Sequence, residues 1–338
     1  MITTEIYKGQ GLGNQLACYI TTRVIALDRR YDFGIMHPER FKCLDFMNLD
    51  FGKEVVGGSG PEGGPPKKLP EGIYNYYTEK QIIHPINKSD MRFYDADLVS
   101  ILDSTKIDGY MQDEKYFEHR KSEIREWLKV KEGCNTQEYS REDICVINFR
   151  GGEYVRFKEL FLNQKYWDDA VKNMLGINPD MKFIVVTDDV RTARTFFPDF
   201  EITHKSIGHD YSIINNAYYL ILSNSSFAFF PTWLNQKVKK VIAPKYWARY
   251  NVSDGYWCSS QNLTKDFFYQ DKEGKLFDYE NCTGEYNNYQ KLHPEYFTFK
   301  ESQIINNKKI SITLFLKKVI GKLLSHRVKN FLFKLYEK

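Results

Sequence analysis

Short apolar runs alternate with stretches of helical periodicity along this chain, and that alternation predicts an α/β fold. Ile2 to Lys8, Phe33 to Met36, Ile144 to Phe149, Lys182 to Thr187 and Lys239 to Pro244 read as strands. The third is apolar at Ile144, Cys145, Val146, Ile147 and Phe149, the pattern of a parallel strand covered on both faces. Between the first two runs, Leu16, Tyr19, Ile20, Val24 and Leu27 share one face of a long helix. Tyr219 to Ser223 reads as the end of a helix, Asn224-Ser225-Ser226 as a tight polar turn, and Phe227 onward as an aromatic helix start. A helix is expected from about Asp113 to Lys131, with Glu132 to Arg141 as a domain boundary. Val55 to Gly72 is too dense in Gly and Pro for either regular structure. From Trp247 to Asn307 the sequence is rich in Tyr, Asn and Asp with little periodicity, as in a segment that wraps the body.

Three segments carry candidate chemistry. Gly9 to Gln15, GQGLGNQ, joins the first strand to the long helix, where α/β folds bind ligands. A dinucleotide fingerprint needs a third glycine where Asn14 stands, and Asp32 precedes the second strand instead of closing it. A nicotinamide or flavin site is therefore disfavoured, while Asn14 and Gln15 offer amides to a polar ligand at a helix start. In the second segment Arg150 ends a strand before Gly151-Gly152 and Glu153, placed to reach a diphosphate with its fork. In the third, Asn224, Ser225, Ser226 and Phe227 set small polar groups and unpaired amides at a helix N-terminus, which favours an anion. A plain helix cap explains that turn equally. Asp188-Asp189 follows a clear strand and fits either ligand contact or capping, and no D-x-D stands where it would hold a metal.

These segments resemble glycosyltransferase family 11, the α1,2-fucosyltransferases, and the wider fucosyltransferase superfamily. The family's G-G-L-G-N-Q is matched by Gly11-Leu12-Gly13-Asn14-Gln15, and its G-Y-x-Q-x-E-K-Y-F by Gly109 to Phe117. Its H-x-R-R-G-D-Y corresponds to Asn148 to Tyr154, its S-D-D to Thr187-Asp188-Asp189, and its N-S-S-F block to Asn224 to Asn235. The resemblance implies a GT-B enzyme: two Rossmann-like domains facing across a cleft, the second holding the nucleotide sugar and the first the acceptor. It implies an inverting, metal-independent transfer from GDP-fucose or another GDP-sugar to a hydroxyl of a glycan. Carried over by position, Arg150 neutralises the diphosphate, Ser225 and Ser226 hold phosphate oxygens, and Asn14 lies across the cleft. Glu153 is a candidate base or a structural acceptor. The chain departs from the family where His becomes Asn148, the second Arg becomes Gly151 and Asp becomes Glu153. Those departures leave a second reading: a degenerate member that binds a nucleotide sugar or glycan without turnover.

Composition refines the picture. The length of 338 residues favours two domains, drawn as 1–135 on the acceptor side and 136–305 on the donor side, with 306–338 as a tail. Six cysteines without a C-x-x-C pair point to reduced thiols, not to disulfides or zinc. From Lys308 onward nine basic residues face one acid, so the net charge of +4 resides in this tail. Leu314, Phe315, Ile320, Leu323, Leu324, Phe331, Leu332 and Leu335 recur there at helical spacing. A basic amphipathic helix suits the inner face of a membrane, where lipid-linked glycans are assembled, or packs on the body or a second subunit. A cytoplasmic bacterial enzyme, peripheral on the inner membrane, is expected. Nucleic acid is disfavoured because the basic residues are confined to the tail and no recognition module accompanies them.

Overall fold

The computed structural model describes residues 1–58, 60, 66–84, 90–257 and 263–297. The tail read as an amphipathic helix, Cys258 and the middle of the Gly/Pro-rich stretch lie outside them. Among the described residues no helix is long and apolar enough to cross a membrane.

Two parallel sheets organise the chain. The first contains Ile2–Glu5 (β1), Phe33–Met36 (β2), Asn75–Thr78 (β3) and Thr105–Asp108 (β6), in the order β2-β1-β6-β3 with every pairing parallel. A small antiparallel hairpin, Gln81–Ile83 (β4) and Asp90–Arg92 (β5), sits apart from it. Ile144–Phe149 (β7), Lys182–Thr187 (β8), Glu201–Thr203 (β9), Tyr219–Leu222 (β10), Lys240–Pro244 (β11), Phe267–Gln270 (β12) and Leu276–Phe277 (β13) form the second sheet. Its order is β13-β12-β11-β10-β7-β8-β9, parallel except at the β12–β13 edge. Helices Leu12–Arg29 (α1), Lys121–Trp127 (α2), Gln164–Leu175 (α3), Val190–Phe196 (α4), Ile207–Asn216 (α5), Ser226–Trp233 (α6) and Tyr279–Leu292 (α7) complete it. This is the GT-B arrangement of two Rossmann-like units.

Strand order in each sheet reverses at one point. In the second sheet the chain leaves β7 toward β8 and β9, then returns to β10 on the other side of β7. In the first, β1 sends the chain to β2 on one side and β6 on the other. A crevice opens at such a switch, at the carboxyl ends of the two strands. Ser223 and Asn148 close this one at depth. The Ser223 amide donates to the Asn148 carbonyl at 3.1 Å and its hydroxyl donates to Asn148 Oδ1 at 2.9 Å.

Several sequence expectations are corrected. Tyr219–Leu222 is a central strand, not a helix end. Its Leu220, Ile221 and Leu222 are fully buried between β7 and β11, and a four-residue apolar run carries no period to tell the two apart. Asp113 to Lys131 is not one helix. Two 3-10 turns, Glu114–Tyr116 and Glu118–Arg120, precede the short α2. Strand β1 ends at Glu5, and Leu27 stands outside the buried face of α1.

The core shows how the two units are joined. Helix α6 follows β10 in the second sheet, yet its Phe230 and Trp233 pack in the core of the first unit with Leu16, Tyr116 and Phe117. Trp233 also donates from Nε1 to buried Glu114 at 3.1 Å.

Candidate functional site

The Gly-rich loop after β1 meets the start of α6 across this junction. A Cβ at Gly13 would lie 2.1 Å from the carbonyl oxygen of Ser226 and 2.8 Å from the amide of Phe227. Only glycine lets the two backbones approach so closely. Asn14 closes the contact: its Oδ1 accepts from Ser226 Oγ at 2.9 Å and from Gln112 Nε2 at 2.6 Å. Gln15 faces the other way. It is buried, donates to the Arg40 carbonyl and accepts from the Lys42 amide. Gln15 therefore ties the loop to the segment that follows β2.

Ser225 is the N-cap of α6, yet its side chain makes no cap hydrogen bond. The first amides of the helix, those of Ser226 and Phe227, are the donors a helix start leaves without an internal partner. Asn224 is more committed: its Nδ2 donates to the Leu160 carbonyl at 2.8 Å, while its buried Oδ1 has no protein partner.

Across the switch point, Arg150 leaves the end of β7. It pairs with Asp188, bonds Glu153 Oε1 at 3.1 Å, and lies 5.0 Å from the centre of the Tyr154 ring. Asp188 and Asp189 make different contacts. Asp189 caps α4, accepting from the Thr192 amide and hydroxyl, and those bonds hold its carboxyl below the usual range. Asp188 faces Arg150 and accepts from the Gly151 amide at 3.2 Å. The glycine at 151 has a local reason, since a Cβ there would meet Asp189 Cβ at 2.7 Å. Thus the second arginine of the related motif has no room unless the Asp188-Asp189 loop retreats.

Together these groups line a cavity of about 230 Å³ that includes Gly11, Gly13, Arg150, Asp188, Ser225 and Ser226. Phe227 lies in its wall too. Glu153 does not line it, and with 69% of its side chain exposed it serves as a surface partner of Arg150. Lys42, His204 and Asp210 also line the cavity, and sequence reasoning missed all three in this place. Asp210 is buried, with its carboxyl raised by desolvation, and its Oδ2 lies 2.6 Å from His204 Nδ1. Their only sequence signal is a histidine and an aspartate six residues apart around a helix start, which is too common to select. Arg156 is exposed and lines none of the described cavities. Among the described residues no cluster of His, Cys, Asp or Glu could hold a metal ion.

No family model matches the chain. Over 167 residues it is 24% identical to an α-1,2-colitosyltransferase of Escherichia coli, covering 44% of this chain and 58% of that protein. The chain therefore spans little more than half the length of this curated relative. Among solved structures, the NodZ α-1,6-fucosyltransferase soaked with GDP-fucose is 11% identical with a TM-score of 0.40, covering 72% of this chain and 94% of that one. POFUT1 in complex with GDP-fucose is 10% identical with a TM-score of 0.41, covering 72% and 96%. A family 9 glycosyl transferase from Veillonella parvula is 11% identical with a TM-score of 0.40, covering 94% and 97%. With TM-scores below 0.5, the GT-B assignment rests on the two sheets themselves. The sequence match and the ordered motifs agree: this chain is similar to the fucosyltransferase superfamily.

Proposed function

We propose that the protein is an inverting glycosyltransferase that moves a sugar from a GDP-sugar to a hydroxyl of a glycan without a metal. The observation that carries this reading is the convergence of Arg150 and the uncapped start of α6 on one cavity at a switch point. A diphosphate needs that combination, a bidentate cation and orphan amides on one side of a partly enclosed site. Arg150 would exchange its bond to Asp188 for the diphosphate, with Ser225, Ser226 and their amides on the remaining oxygens. Such preorganised donors stabilise the charge that develops on the leaving group as the glycosidic bond breaks. The motif resemblance favours fucose as the sugar, and the curated relative makes a colitosyl donor the alternative. The basic, apolar stretch 308–338 supports a peripheral place on the inner membrane, close to lipid-linked glycans.

Calorimetric titration with GDP, GDP-fucose, GDP-mannose and a UDP-sugar in EDTA tests this reading. Micromolar binding of GDP and one GDP-sugar is expected. Silence with every guanine nucleotide refutes the donor assignment. Tight donor binding with neither hydrolysis nor transfer would instead favour the non-catalytic alternative.

A further inference from the structure

A second cavity, of about 560 Å³, lies beside the first and shares Tyr154 and Ser226 with it. Tyr110 and Phe157 stand in its wall with 39% and 46% of their surface exposed. Exposed rings beside a polar cavity suit the apolar face of a sugar. Its charges are of two kinds. Arg92 is compensated, stacked 3.9 Å from the Tyr110 ring centre with Glu79 at 3.6 Å.

Arg249 is different. It has no carboxylate partner among the described residues, its Nη1 donates only to the adjacent Ala248 carbonyl, and its Nε is buried without a hydrogen-bond partner. A guanidinium offers five N–H donors, so most of this one's capacity is open. The backbone that presents it is strained. Tyr246 and Trp247 hold φ of 64° and 41° in succession, a region that bulky side chains rarely adopt. Such strain persists where surrounding structure imposes it, and it gathers at ligand sites. Glu159 is the cavity's acid, and no ion pair occupies it among the described residues.

We infer that this second cavity holds the acceptor, and that the acceptor carries an anionic group, a carboxylate or a phosphate, that pairs with Arg249. A hydroxyl of the same ligand donates to Glu159. Opposite open charges in one aromatic-walled cavity select a ligand with an anion at one end and sugar hydroxyls at the other. This inference rests on the donor reading above, because it takes the first cavity to be filled by the nucleotide sugar.

The test is equilibrium binding in the presence of GDP. A glucuronic acid disaccharide, a sugar phosphate and a neutral disaccharide are titrated against the full chain. At least one acidic probe should bind about tenfold or more tightly than the neutral one, as a charge-assisted pair implies. Added salt should weaken that preference. Arg249→Gln should abolish the preference and Arg249→Lys should keep part of it, both with unchanged GDP affinity and melting temperature. Which acidic probe responds separates carboxylate from phosphate. Equal binding of neutral and acidic probes, a preference that survives Arg249→Gln, or no binding of any acidic probe while GDP binds overturns this inference alone. Failure of GDP to bind overturns the donor reading and this one with it.

Discussion

Gly13→Ala is the sharpest perturbation the structure offers. The added Cβ would sit 2.1 Å from the Ser226 carbonyl oxygen and 2.3 Å from its carbon, where real Cβ atoms stay beyond 3.0 Å. Both obstacles are backbone at the start of α6, so no side chain can swing aside. Relief requires α1 and α6 to part by roughly 1 Å, and overpacking of this kind costs about 1–3 kcal/mol. Parting also stretches the 2.9 Å bond from Ser226 to Asn14 and displaces the amides proposed for phosphate. The expected result is a fall in Tm of roughly 2–12 °C, with GDP affinity reduced at least tenfold in calorimetry. Gly11→Ala is the internal control. A Cβ there meets nothing within 4 Å and the backbone is extended, with φ −70°, so its cost should stay below about 1 kcal/mol. Gly13→Ala that matches Gly11→Ala in both Tm and GDP affinity would refute the close approach of the two backbones.

Five further outcomes follow from the structure. Ser225→Ala should leave Tm within about 1 °C, because no cap bond is lost, while GDP affinity falls; a lost cap would instead lower stability with affinity intact. Arg150→Ala should weaken GDP binding by roughly 10–150-fold, the range of a charge-assisted bond, whereas Glu153→Gln should leave turnover within about threefold, since a positioned acid or base typically contributes about 10²–10⁴-fold. Burial pushes the Glu114 carboxyl up to about 7 from 4.5, so the folded state holds its proton more tightly than the unfolded chain does. The stability of the wild type relative to Glu114→Gln should therefore fall as pH rises through that window and level off above it; parallel pH profiles of Tm would refute this. Lys106→Ala should cost about 3–5 kcal/mol in denaturant unfolding, because its fully buried ammonium lies 2.8 Å from Glu5 and 3.4 Å from Asp108, both buried.

The strands that are legible in the sequence are those with an unambiguous pattern. Ile144–Phe149 and Lys182–Thr187 are six residues each, mostly apolar and bounded by polar turns, and they pair in register along their whole length. Tyr219–Leu222 was ambiguous because four apolar residues fit a helix end as well as a strand, and only its two neighbours in the sheet decide. Asp113 to Lys131 misled for the opposite reason: its charges suggest one exposed helix, whereas Glu114, Tyr116, Phe117 and Ile124 are buried against α6 and the first sheet. Arg150, Ser225 and Ser226 line one cavity, and each stands at a strand end or helix start, a position that a sequence pattern can reveal. Asn14 points across the junction while the side chain of its neighbour Gln15 turns to Arg40 and Lys42, a difference that adjacent amides in a sequence do not reveal. Lys42 lies far along the chain from His204 and Asp210, and only the fold brings it to the same wall.

The placement of α6 has a consequence for anyone who recombines this protein. By sequence it belongs to the second half, but Phe230, Trp233 and Leu234 complete the interior of the first. Expressed alone, residues 1–135 would present that apolar socket to water and recruit aggregation in place of a missing helix. A chimera that exchanges the second half for that of a relative must carry Gly13, Asn14 and the facing turn of α6 from the same parent. The inheritable module is this matched pair of segments, 212 residues apart along the chain at Asn14 and Ser226, and not either half.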